Sequence, residues 1–234
     1  MFEKRLSNEA IEESESPALR RQFVIKVYTQ FLICVVIGIV HWLLAVTLLQ
    51  STLVDLIKEH ASTFILLFII SVFLFILYAL TDQVSEIPCI SCVVIVLIVE
   101  CLNLAVLVLV VNSSALHLLV GILGVMVVVI ILCVLGTFMP FDITDSVNFF
   151  FMVACSVFLL SIYAIMYYVA LKTTWPIYFY IAIIASLVLS FLMYHVQCIA
   201  GDGRVQAGLG DDKYASLLLY HDFLALFMLT LYWQ

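Results

Sequence analysis

Charged residues are scarce in this chain of 234 residues, and basic residues are the scarcest. Asp, Glu, Lys and Arg make up 11% of the sequence, whereas about a quarter is usual for a soluble domain. Nine Lys and Arg against 16 Asp and Glu give a net charge of −7. So few bases provide no basic surface that follows phosphates, which excludes nucleic acids as partners.

The shortage of charge is matched by an excess of apolar residues. The hydrophobic share is 66%, and the mean hydropathy is +1.28. A protein of 26.4 kDa cannot hide so many apolar side chains in one core, because much of its surface must still face the surroundings. A cytosolic enzyme and a disordered chain are therefore excluded, and the lipid bilayer is the expected solvent.

The seven cysteines lie in or beside apolar stretches. Cys89 and Cys92 have the CxxC spacing, but they open an apolar span, and no second pair of ligands accompanies them. We interpret the cysteines as small apolar fillers. Since no nucleophile–base set or metal-binding set occurs elsewhere, we predict no enzymatic activity and no bound cofactor.

Seven apolar runs reach or approach the roughly 20 residues that a helix needs to cross a bilayer. Backbone polar groups in lipid must be satisfied within each segment, which favours helices over strands. We therefore predict an all-α polytopic membrane protein, a bundle of seven transmembrane helices. The predicted spans are Val27–Leu49, Phe64–Leu80, Pro88–Val111, Ala115–Met139, Val147–Ala170, Ile177–Ala200 and Tyr214–Trp233.

The chain divides into two regions. Residues 1–26 are predicted to be a polar cytosolic tail, disordered around Ser14–Pro17 and helical from Ala18. Residues 27–234 form the predicted seven-span transmembrane domain. Its connections are short, and the longest, Gln50–Thr63 and Gly201–Lys213, are interpreted as loops.

The distribution of basic residues predicts the orientation in the membrane. With the N-terminus in the cytosol, five bases of the tail together with Arg204 and Lys213 face inside, and only Lys58 and Lys172 face outside. Cytoplasmic loops carry the excess of Lys and Arg, so the N-terminus is predicted to be cytosolic.

Two acids and one histidine inside the spans are the candidate functional residues. At about 1.5 Å per residue, Glu100 lies roughly 18 Å, Asp222 roughly 12 Å and His195 roughly 8 Å from the cytosolic edge. Ionisable groups at membrane depth are costly and indicate function, so we expect one polar cluster. Glu100 as a protonated packing residue and His195 as an interfacial residue are the alternatives. Three further histidines are interpreted as interfacial or loop residues: His41, His117 and His60.

Five stretches, in order along the chain, resemble motifs of the transmembrane Bax inhibitor motif family, and of its Lifeguard branch in particular. The first resembles the family's opening motif RxxFIRKVY, and the last resembles LYLDIINLF. The three stretches between them resemble, in order, the motif LLEA of the family's third span, the motif DFS before its fifth span and the motif YDTQ of its sixth span. These stretches are Arg20–Tyr28, Leu97–Cys101, Asp142–Ser146, Tyr194–Gln197 and Leu219–Phe227.

The resemblance implies a seven-helix bundle of the Bax inhibitor motif type in the endoplasmic reticulum or Golgi. It further implies calcium leak and suppression of apoptosis. In the family, two aspartates on the sixth and seventh spans form a proton-sensitive pair that gates the calcium path. The second aspartate carries over to Asp222, whereas the position of the first holds His195. We expect the ion path and pH gate at Asp222, His195 and Glu100, with Asp222 as the calcium ligand.

Two functions remain open at this point. The first is a pH-modulated cation (calcium) leak channel of an intracellular membrane, linked to calcium homeostasis and cell survival. The second is a non-conducting membrane protein that restrains cell death through apoptosis-regulating membrane proteins. The presence of His195 at the position of the family's first aspartate bears on both functions, because imidazole is a poor ligand for the oxygen-seeking Ca²⁺ ion.

Overall fold

The computed structural model describes residues 17–81, 87–139, 141–201 and 204–231. Within these ranges it contains seven α-helices, a short 3-10 helix at Thr144–Ser146 and no strand. All seven are long and apolar enough to cross a membrane, which confirms the predicted all-α architecture of an integral membrane protein. Residues 1–16 of the predicted tail lie outside the described residues, and residues 18–26, predicted to be helical, belong to α1. The helices are α1 Pro17–Thr47, α2 Gln50–Leu80, α3 Pro88–Val110, α4 Ala115–Phe138, α5 Val147–Leu171, α6 Trp175–Ala200 and α7 Asp212–Leu231.

Proline and glycine mark the ends of these helices. Pro17, Pro88 and Pro176 lie in the first turns of α1, α3 and α6, where the missing N–H has no helical partner to lose. Gly201 follows α6 with a φ of +82°, a left-handed conformation that side chains disfavour, and its N–H donates to the Gln197 carbonyl at 3.0 Å. The long apolar runs between these ends hold no proline and stay helical.

The second helix differs from the prediction. The Gln50–Thr63 segment was expected to be a loop, with His60 as a loop residue, but it is the first half of the 31-residue helix α2. The helix is kinked at His60, where φ is −123° and ψ is 33°. Leu53 and Ile57 pack partly buried against the core, so one face of this polar-looking segment has an apolar partner that stabilises the helix.

Helix α7 lies at the centre of the bundle, in contact with α1, α3, α4 and α6. Its apolar stretch is 61% buried, whereas that of no other helix exceeds 44%. Helix α7 also has the lowest hydropathy of the seven. The least apolar helix is therefore the one shielded from lipid, and its polar side chains face protein.

A buried hydrogen-bond network ties α1, α3 and α7 together. The Tyr220 hydroxyl donates to Asn103 Oδ1 at 2.5 Å, and Trp42 Nε1 donates to the Asn103 carbonyl at 3.3 Å. All three side chains are fully buried. A Cβ atom at Gly38 would lie 2.9 Å from Asn103 Oδ1 and 3.2 Å from the Tyr220 hydroxyl. The glycine lets these polar groups approach the α1 backbone.

The substitution Gly38→Ala is expected to lower the Tm by several degrees. The added methyl group overpacks a buried site, which typically costs about 1–3 kcal/mol. The matched control is Gly124→Ala in α4, where a Cβ atom meets nothing within 4 Å and alanine favours the helix. Thermal unfolding of the two purified variants measures the difference. An equal Tm in both would contradict the close packing at Gly38.

Candidate functional site

His195 on α6 and Asp222 on α7 form a direct pair. His195 Nδ1 lies 2.6 Å from Asp222 Oδ2, a short distance typical of a charge-assisted hydrogen bond. Their side chains are only 16% and 11% exposed. The imidazole is flanked by the rings of Phe191 and Tyr194, whose centroids lie 6.2 Å and 5.7 Å away. The ring is therefore oriented with Nδ1 toward the carboxylate.

A cavity of about 350 Å³ leads from the edge of the bundle to His195 of this pair. It lies between the end of α6 and the start of α7, beneath the Val205–Gly208 segment, and His195 forms part of its lining. Other polar side chains of its wall belong to Tyr194, Gln206, Asp211 and Tyr214. The pair is thus reached from the edge that the charge distribution predicts to be cytosolic.

Beyond the pair, large side chains fill the bundle. Leu192, Phe223 and Phe227 are fully buried, and the two phenylalanine rings are nearly parallel, with centroids 6.2 Å apart. Trp42 stacks on Phe227 at 4.6 Å. Large apolar side chains therefore fill the bundle on the side of the pair away from the cavity.

Glu100 lies apart from the other two candidates. Its carboxylate faces α1, where Oε2 is 3.3 Å from His41 Nε2, while His41 Nδ1 is 2.8 Å from the Ile37 carbonyl. Among the described residues, no hydrogen bond or ion pair joins Glu100 to His195 or Asp222. The expected single cluster is instead two histidine–carboxylate pairs. His41 was missed as a partner, although an acid at membrane depth signals that one is needed.

Two other histidines bond to helix carbonyls. His117 Nε2 lies 3.2 Å from the Thr230 carbonyl, at the opposite end of α7. His221, in the polar run Tyr220–Asp222 of α7, has Nδ1 2.8 Å from the Leu217 carbonyl, and its ring centroid is 4.3 Å from that of Phe75. Neither side chain bonds directly to Asp222.

Basic residues of the opening motif fasten α1 to the start of α7. Lys26 Nζ lies 2.9 Å from Asp212 Oδ1, and Gln30 Nε2 donates to Asp212 Oδ2 at 2.7 Å. Arg20 Nη1 donates to the Ala207 carbonyl at 2.7 Å, in the segment that covers the cavity. The side chain of Arg20 also packs against Gly201. The motif therefore holds the edge at which the cavity opens.

Asp142 fastens the same covering segment from the other side. Its Oδ1 accepts hydrogen bonds from the Thr144 N–H and hydroxyl, and its Oδ2 accepts one from the Arg204 N–H at 2.8 Å. The Thr144 hydroxyl in turn accepts from the Val205 N–H at 3.0 Å, and Arg204 pairs with Asp145. The bond from the Thr144 hydroxyl, followed by that from the Arg204 N–H, lowers the pKa of the Asp142 carboxyl.

Because this pKa is lowered, the contribution of Asp142 is fully present above the usual value of 3.8 and is lost as the pH falls through the lowered value. We expect Asp142→Ala to release the covering segment at neutral pH, which accelerates tryptic cleavage after the exposed Arg204. In the wild type the segment should stay protected from cleavage at pH 6, where the Asp142 carboxyl is still ionised and trypsin still cleaves. The control is Asp145→Asn, which removes only a surface pair and should change cleavage little. Equal cleavage of both variants would contradict the role of Asp142.

Seven helices that are long and apolar enough to cross a membrane, with a buried histidine–aspartate pair between α6 and α7, define a polytopic α-helical membrane protein. The chain matches no protein-family model, and no curated protein sequence matches it significantly. In the part of the chain that the structure describes, no three His, Cys, Asp or Glu side chains converge on a site that could hold a metal ion. Asp222 and His195 therefore form a two-residue site, and a Ca²⁺ ion, which takes six to eight oxygens, would keep most of its water there.

Proposed function

We propose that the chain is a cation leak channel for calcium in the membrane of the endoplasmic reticulum or Golgi, with Asp222 in the ion path and His195 as its pH-sensitive partner. The observation that carries the proposal is the 2.6 Å contact between Asp222 and His195, which lines a cavity. A carboxylate at membrane depth attracts cations, and such residues mark ion pathways.

The pair supports a simple gating mechanism. While Asp222 is bonded to His195, its oxygen is occupied and α6 is held to α7. When the bond opens, the carboxylate becomes available to a cation that arrives through the cavity. Movement of α6 relative to α7 would also loosen the packing between these two helices beyond the pair, where Leu192 of α6 and Phe223 of α7 are fully buried.

Protonation of the imidazole biases this equilibrium. A charged His195 attracts the Asp222 carboxylate more strongly than a neutral one, so acid favours the closed pair. The other ionisable groups around the pair are Tyr194 and Cys198 on α6, His221 and Tyr214 on α7, and Asp211 in the cavity wall. Among these, His221 is the nearest in sequence to Asp222. A pH experiment must therefore separate the contribution of His221 from that of His195.

The resemblance to the Bax inhibitor motif family supports calcium as the permeant ion and a link to the suppression of apoptosis. A non-conducting protein that acts through apoptosis-regulating membrane partners is the second candidate. The observation in its favour is His195 itself, which replaces an oxygen ligand by a nitrogen that Ca²⁺ disfavours.

Ion flux distinguishes the two functions. Purified protein in liposomes should release trapped Ca²⁺ faster than empty liposomes, and the rate should depend on pH between about 6 and 7.5, where imidazoles change charge. Flux no greater than that of empty liposomes at every pH would overturn the channel and favour the interaction protein.

The distribution of bases predicts a cytosolic N-terminus and, with seven spans, a C-terminus on the opposite side. A tag at the N-terminus should be reached by antibody when only the plasma membrane is permeabilised, whereas a tag after Gln234 should not. Full permeabilisation, which exposes both tags, is the control. Access to both tags after selective permeabilisation would mean an even number of spans.

A further inference from the structure

A second cavity, of about 250 Å³, lies between α1 and α3 and reaches the start of α7. We call it the α1–α3 groove. Its walls are mainly aliphatic, formed by Ile33, Ile37, Ile95 and Val96. Ile33 and Val96 are more than half exposed, so in a bilayer the groove opens sideways toward lipid.

The polar residues of the groove lie at its two ends. Helices α1, α3 and α7 all begin at the same edge of the bundle, so Gln30, Lys213 and Ser216 lie near that edge. Glu100 lies further in, eight residues beyond Cys92 along α3, which is about 12 Å at 1.5 Å per residue. The groove thus has a cationic side chain near its mouth and a carboxylate at its inner end.

The Glu100 carboxylate is only partly satisfied by the protein. It is 34% exposed, and its one polar partner in the described chain is His41, which contacts Oε2 and is itself 39% exposed. The second oxygen, Oε1, accepts no hydrogen bond from the described residues. Ionisable groups in membranes normally face the protein interior or a water-filled cavity, so a carboxylate that is one-third exposed at the end of an apolar groove, with His41 at Oε2 only, can take a second donor at Oε1.

We propose that the α1–α3 groove is a binding site for a lipophilic primary amine. The ammonium group pairs with Glu100 at the inner end, and the hydrocarbon chain lies along the four aliphatic wall residues. The opposite direction of binding would place the ammonium group beside the Lys213 side chain and the end of the hydrocarbon chain against the Glu100 carboxylate. A fatty acid fits less well, since its carboxylate at Lys213 would leave Glu100 against the end of an alkyl chain.

The volume of the groove sets the size of the ligand. Pockets for drug-sized ligands usually measure about 300–1,000 Å³, so a cavity of about 250 Å³ suits a short-chain amine. The groove is separate from the His195–Asp222 pair, because Lys213 and Ser216 line it on one side of α7, whereas Tyr214 and Ala215 line the first cavity. Binding here does not depend on whether the protein conducts ions.

Photolabelling of the full chain in lipid nanodiscs tests the site. The probe is octylamine with a diazirine near the end of its chain, and the labelled residues are mapped by peptide mass spectrometry. We expect labels on groove-lining residues of α1 and α3, displaced by octylamine but not by octanol or octanoate. Glu100→Gln should reduce groove labelling about tenfold, because a charge-assisted hydrogen bond is lost.

Three further variants control for folding and charge. Glu100→Asp keeps the carboxylate and should retain most of the labelling. Val96→Trp fills the groove from an exposed position and should abolish labelling while Glu100 is intact, which preserves the test if Glu100→Gln unfolds. Asp55→Asn removes an exposed acid of α2 and should have no effect. Equal displacement by octanol, undiminished labelling of folded Glu100→Gln, or displacement by octanoate would each overturn the amine site.

Discussion

Replacing Asp222 by asparagine is expected to reduce Ca²⁺ flux through the reconstituted protein several-fold. The carboxylate directly contacts the cavity-lining His195, and its charge is what attracts a cation at membrane depth. The fold should survive the change, because the amide oxygen of asparagine can still accept a hydrogen bond from His195 Nδ1. Expression and Tm should therefore stay close to those of the wild type, which separates a loss of conduction from a loss of structure.

The matched control for this variant is Asp55→Asn, which removes an acid from the exposed face of α2. Its flux and Tm should both equal the wild-type values. Flux is compared in liposomes with the same amount of incorporated protein. Undiminished flux in Asp222→Asn, with a conducting wild type, would remove Asp222 from the ion path.

The sequence is sufficient to predict most of the helices, because the property that makes a segment helical lies within that segment. Long apolar runs without interior proline become membrane helices wherever they lie in the bundle. The prediction of a loop at Gln50–Thr63 was wrong for the converse reason. The polar composition of this segment is typical of a loop, but Leu53 and Ile57 gain burial against the core only once the other helices are in place.

The candidate site was only partly predictable. Depth along a helix follows from residue number, which places His195 and Asp222 near the same edge of the membrane. The side that each residue faces does not follow, because a helix that is apolar all round has no face that its sequence marks as inward. For this reason the depth of Glu100 along α3 could be predicted from the sequence, but its pairing with His41 on α1 could not.

The same limit explains the buried Asn103. Its position in α3 gave no sign that Tyr220 and Gly38 would meet it, since each lies on a different helix. Only the rotation of α7 at the centre of the bundle brings the hydroxyl to the amide. Contacts between spans thus depend on packing that single-helix patterns do not encode.

The pH response of the channel is expected to depend on His195. In the wild type, flux should fall as the pH drops from about 7.5 to 6, because the charged imidazole binds Asp222 more tightly and keeps its oxygen occupied. His195→Gln should conduct without this pH response, because glutamine stays uncharged throughout. His195→Asp should give a di-acid pair that shares a proton, with a response typical of carboxyl groups and tighter Ca²⁺ binding.

The control for these variants is His117→Gln, which removes an imidazole bonded to Thr230 at the far end of α7 and should leave the pH profile intact. The variant His221→Gln tests the contribution of the neighbouring histidine separately from that of His195. Nδ1 of His221 bonds to the Leu217 carbonyl and not to Asp222. If both His195 variants kept the wild-type profile, the 2.6 Å contact would be a structural link between α6 and α7 without a role in gating. If His221→Gln alone abolished the response, the pH sensor would lie one residue from Asp222 on α7, and α6 would serve only to hold the carboxylate in place.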